Sequence, residues 1–75
     1  MPTVVRLGNV KLVVYASDHN PPHVHILSAE HAAVMSMSNL EITAGFVPRH
    51  VYQLARDWAE AHRDELHEAW RQLNG

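Results

Sequence analysis

The chain has 75 residues and a mass of 8.5 kDa, near the lower limit for a single hydrophobic core, so residues 1–75 read as one domain with no room for a second. Six Lys plus Arg against eight Asp plus Glu give a formal charge of −2, with 47% hydrophobic and 19% charged residues; this excludes intrinsic disorder, a polybasic tail and nucleic-acid binding driven by bulk charge. No apolar run approaches the roughly 20 residues of a membrane span, there is no Cys for a disulfide or thiolate site, and Met-Pro-Thr-Val-Val-Arg lacks the order of a signal peptide, so a cytoplasmic location is expected.

Residues 3–7 (Thr-Val-Val-Arg-Leu) and 10–16 (Val-Lys-Leu-Val-Val-Tyr-Ala) are β-branched and apolar, and Gly8-Asn9 between them can take the positive φ values of a two-residue hairpin turn. The loop Ser17-Asp18-His19-Asn20-Pro21-Pro22 follows, and its prolines cannot donate ladder hydrogen bonds, so the third strand, His23 to Leu27, begins only after them. Ser28 to His31 reads as a polar turn and Ala32 to Met37 as a fourth strand. Ser38 to Thr43 is either an edge strand using Leu40 and Ile42 or a packed connection. From Pro48 to Leu73 no Gly or Pro intervenes, and Pro48 suits a first helical position, so one long helix is predicted. Val51, Leu54, Ala55, Trp58, Leu66, Ala69 and Leu73 fall on its apolar stripe. The expected fold is α+β: an antiparallel meander of four strands, with a possible fifth at the edge, and one C-terminal helix packed on one face.

Strand side chains alternate between faces. If Val5, Leu7, Val10, Leu12, Val14, Val24, Ile26, Met35 and Met37 face the helix, the open face collects Arg6, Lys11, Tyr15, His23, His25 and Ser36, interrupted by Val13. That face is expected to be polar and locally basic.

Histidine is the compositional anomaly: seven imidazoles could carry the formal charge from −2 to +5 in acid. The segment His19-Asn20-Pro21-Pro22-His23-Val24-His25 concentrates three of them. The H-x-H pair projects two rings from one strand face, about 7 Å apart at the backbone, and His19 could close over an ion from the rigid loop. Such a set would suit Zn, Ni or Cu, with Asp18 or Glu30 as an added carboxylate. Three other readings compete. The histidines can be half-exposed strand residues that merely fix the Pro-Pro corner, or they can contact phosphate. They can also do acid/base work as in a metal-free RNase, with His23 or His25 as general base, Lys11 or Arg6 stabilising a phosphorane and Tyr15 orienting it. His62 lies near the centre of the helix stripe and is expected to be a buried, hydrogen-bonded core histidine. His31, His50 and His67 read as turn and solvent positions, and Trp58 and Trp70 as core anchors.

The N-terminal Met-Pro-Thr-Val, the string His19-Asn20-Pro21-Pro22-His23-Val24-His25, Gly45-Phe46 before the helix and Glu68-Ala69-Trp70 near its end together resemble the bacterial family called domain of unknown function 4160. The resemblance spans nearly the whole chain. It implies a small cytoplasmic prokaryotic protein, often encoded beside a member of another uncharacterised family, domain of unknown function 2442, in pairs that look like toxin-antitoxin modules. It carries no catalytic residues over. The chain departs from the family at Val47, where a capping Ser or similar residue is usual.

Three functions follow as expectations. The first is an interaction protein of a toxin-antitoxin-like pair that binds the neighbouring gene's product through the polar sheet face or an unpaired strand edge. The others are a divalent-metal site at His19, His23 and His25, and an RNA-binding or RNA-cleaving face built on Arg6, Lys11, Tyr15, His23 and His25. A short exposed edge and a small core also permit a homodimer.

Overall fold

In a computed structural model of the chain, residues 3–16 and 21–74 are described. Five strands, β1 (Thr3–Leu7), β2 (Val10–Val13), β3 (His23–Leu27), β4 (Ala32–Ser36) and β5 (Ile42–Phe46), precede two helices, α1 (Arg49–Ala61) and α2 (Arg63–Asn74). The strands form one antiparallel sheet in sequence order, with β1 and β5 at its edges. No helix is long and apolar enough to cross a membrane among the described residues.

The inward set follows the alternation. Val10, Leu12, Val14, Val24, Ile26, Met35 and Met37 are buried with Val51, Ala55, Ala59, Leu66 and Trp70 of the helices, while Val5 and Leu7 pack against them at the β1 edge.

Two expectations need correction. The fifth strand is real but begins at Ile42, because residues 37–40 are spent on the turn out of β4. Leu40 holds that turn with φ of 59°, which costs a non-glycine residue about 1–2 kcal/mol. Complete burial of the Leu40 side chain and a 2.6 Å hydrogen bond from the Tyr52 hydroxyl to its carbonyl offset the strain. In β5 the register against β4 shifts between Val34 and Met35, and Gly45 sits at φ 77°. An added Cβ there would lie 2.4 Å from the Ala32 carbonyl oxygen, so only glycine lets β5 approach β4 so closely.

The second correction concerns the helix, which is two helices rather than one. The chain bends at His62 (φ −129°, ψ 37°), and no Gly or Pro marks the place. With the bend the longest extent of the fold is 31 Å, where a straight helix over 48–73 would alone run about 39 Å at 1.5 Å per residue. The His62 amide bonds the Ala59 carbonyl instead of that of Trp58, and the His62 Nδ1–H takes the Trp58 carbonyl at 2.8 Å with its ring stacked on the indole at 4.1 Å. His62 is thus half-buried and ends α1 rather than sitting in the core. Beyond it the stripe rotates: Trp70 is buried, while Leu73 and, on α1, Leu54 are exposed. Pro48 precedes α1 as its cap residue without a side-chain hydrogen bond, and the helix starts at Arg49.

Candidate functional site

Among the described residues the helices leave one sheet face without a second layer of secondary structure, and α2 crosses the end of the sheet where β3 begins. Arg63 Nη1 donates to the Met37 and Ser38 carbonyls at 3.4 Å, and Asn74 Nδ2 donates to the Tyr15 carbonyl at 3.0 Å, which ties α2 to that end at both of its own ends. Trp70, between them, belongs to the core and also meets the His23 ring, with centroids 5.2 Å apart.

His23 and His25 do project from the same side of β3, and their rings lie 5.2 Å apart. Tyr15 stands edge-on to His25 at 4.7 Å. The result is a file of four rings, Tyr15, His25, His23 and Trp70. His23 is only 6% exposed, however, and its Nδ1–H donates to the Pro21 carbonyl at 2.8 Å. A carbonyl can only accept, so this contact fixes a proton on Nδ1 and orients the ring against the Pro-Pro corner. His23 is buried rather than half-exposed, and the Pro21 contact gives it the structural role of fixing the Pro-Pro corner. His25 is half-buried and faces outward.

The remaining candidates are placed elsewhere. Arg6 and Lys11 are direct cross-strand partners and form their own pair, and Lys11 lies two residues along β2 from Val13, the partner of His25, in the neighbouring row of the same face. They do not surround the two imidazoles, so the expected constellation of base, cation and tyrosine is divided. His19 and Asp18, offered as ligands, lie outside the described residues, and Glu30 sits in the turn at the far end of β3 from His23. Among the described residues no group of three His, Cys, Asp or Glu could hold a metal ion.

The open face is also less polar than the alternation suggests. The register places Val13, Val34 and Ala44 in the same cross-sheet row as His25, and Leu27, Ala32 and Phe46 in the next. Of the first row, His25, Val34 and Ala44 join the Pro-Pro corner in a largely apolar groove of about 340 Å³, lined by Pro21, Pro22, His23, His25, Val34, Ser36, Thr43 and Ala44. Its polar groups are few: the imidazoles, the Thr43 hydroxyl and Ser36, whose Oγ is 2.9 Å from Ser38 Oγ. Such a concavity, apolar with a few placed polar groups, is the usual form of a binding site. The groove opens beside β5, four of whose five residues are exposed and whose outer edge is unpaired among the described residues. Phe46 is 64% exposed, the largest exposure of any big apolar side chain described. Sequence reading missed it because the expected edge strand stopped at Thr43; the alternation Ile42, Ala44, Phe46 was the signal.

A family model described as a domain of unknown function (DUF4160) matches residues 9–71. The chain therefore belongs to that family. No curated protein and no solved structure matches it significantly.

Proposed function

We propose that this DUF4160 member is a small interaction protein that docks a protein partner in the groove between the Pro-Pro corner and β5. The partner is the product of the neighbouring gene, of the domain of unknown function 2442 type, in a toxin-antitoxin-like pair. The observation that carries the reading is the groove itself: an apolar floor of Val34 and Ala44 with proline walls, open at a strand edge. An extended apolar segment of the partner fits it, one side chain entering the groove and Ser36 and Thr43 bonding its polar groups. Gly45 and the shifted register bend β5, so the groove supplies most of the affinity and an uninterrupted added strand supplies little. So small a surface predicts association in the micromolar range.

Co-expression with the neighbouring gene tests this. The pair should co-purify, and Ala44→Arg, a change at an exposed position of an edge strand, should abolish the association while leaving the fold intact. Failure of the two proteins to associate, or association unaffected by Ala44→Arg, would remove the proposal.

A further inference from the structure

A second feature lies at the other end of the open face, away from the Pro-Pro corner. Five residues, one from each strand, line up across the sheet: Arg6 faces Lys11, Lys11 faces Leu27, Leu27 faces Ala32 and Ala32 faces Phe46. Like charges directly opposite one another on neighbouring strands repel. Among the described residues no carboxylate pairs with Arg6 or Lys11; the ion pairs there belong to the helices, Arg63 with Glu60 and Arg71 with Glu68. Two uncompensated cations held side by side are a site for an anion.

Three further observations narrow the anion. A groove of about 520 Å³ runs from the two cations over Leu27 and Ala32 to His31, with Gly8, Asn9, Ser28 and Ala29 along its side and no carboxylate in its lining. At its far end the His31 ring stands at 73° to Phe46 with centroids 5.5 Å apart, so the two rings make a corner around an exposed aromatic surface. From Lys11 to Phe46 is three strand spacings, about 14 Å. A stacked nucleic-acid strand carries a phosphate about every 3.4 Å, so this span suits a few linked nucleotides better than one. Phe46 offers its ring to an unpaired base, which a duplex does not present.

We infer that the row from Arg6 and Lys11 to Phe46 binds single-stranded nucleic acid, with phosphates on the two cations and a base stacked on Phe46. The site shares no residue with the protein-docking groove and stands or falls separately from it. The formal charge of −2 adds no long-range attraction, so the contact is local and sensitive to salt.

Fluorescence anisotropy with a labelled single-stranded RNA of about 12 nucleotides, a length within common site sizes, tests the inference. Binding should saturate at low salt, and the double variant Arg6→Ala with Lys11→Ala should flatten the dependence of log K on log salt by about 1.4, two contacts at about 0.7 each. Phe46→Ala should weaken binding about fivefold or more. Arg71→Ala, which removes a cation on α2 already paired with Glu68, should change nothing. Circular dichroism confirms that each variant is folded. No saturable binding by the wild-type chain, wild-type affinity in both the double variant and Phe46→Ala, or equally good competition by a polyglutamate peptide would overturn the assignment; the last would make this a surface for acidic protein segments.

Discussion

Gly45 offers a sharp physical test of how β5, and with it Ala44 and Phe46, is held in place. Replacing it by Ala carries two costs. The backbone sits at φ 77°, where a Cβ costs about 1–2 kcal/mol. The new Cβ would also lie 2.4 Å from the Ala32 carbonyl oxygen and 2.9 Å from the Ala33 Cα. Both atoms belong to the β4 backbone, which is paired with β3 on its other side and cannot give way, so β5 must shift at a further cost of about 1–3 kcal/mol. The sum, about 2–5 kcal/mol, is a large share of the roughly 4–11 kcal/mol expected for a chain of this length. Gly8 is the internal control: its φ of 63° is similar, but a Cβ there meets nothing within 4 Å, so Gly8→Ala should cost only the conformational part. Urea unfolding of the two variants gives the comparison directly. Equal losses for Gly8→Ala and Gly45→Ala would refute the argument from close strand approach.

Further outcomes follow from single contacts. Tyr52→Phe removes the hydroxyl that bonds the Leu40 carbonyl at 2.6 Å and should lower stability by about 1 kcal/mol; an unchanged unfolding midpoint would show that the bond does not support the strained turn. His62→Ala loses the bond to the Trp58 carbonyl and the stacked ring, so it should destabilise by about 1 kcal/mol although Ala is the better helix former. A gain in thermal stability would mean that the bend is imposed by the sheet alone. Trp70→Ala empties a buried site and uncovers His23, and should cost about 3–5 kcal/mol, measured by the same unfolding titration. A loss under 1 kcal/mol would place Trp70 outside the core.

Much of the framework was legible because local signals agreed with tertiary need. Gly8-Asn9, the Pro-Pro corner and the alternation through Val10, Leu12, Val24 and Ile26 place β1 to β3 and their inward face, although β2 ends at Val13 rather than Ala16 and β1 carries a register shift between Thr3 and Val5. The fifth strand was harder to locate because Leu40 carries a turn conformation that its residue type disfavours, and only its burial and the Tyr52 contact make that conformation tolerable. The helix break at His62 has no Gly or Pro to mark it, and an imidazole that takes the place of a backbone amide at the Trp58 carbonyl is not a pattern that periodicity reveals. For the site, the shared face of His23 and His25 could be read from H-x-H spacing. The covering of His23 by Trp70 could not, because it depends on α2 crossing the sheet end. Phe46 and the row linking it to Arg6 and Lys11 required the full cross-sheet register, which no single segment encodes.

The docking proposal meets its most direct test in amide hydrogen exchange of the co-expressed complex compared with the free chain. Slowed exchange should be confined to residues 42–46 and the neighbouring stretch of β4, next to the groove formed by Val34 and Ala44. Protection confined to α1 and α2, with β5 exchanging as fast as in the free protein, would contradict the account.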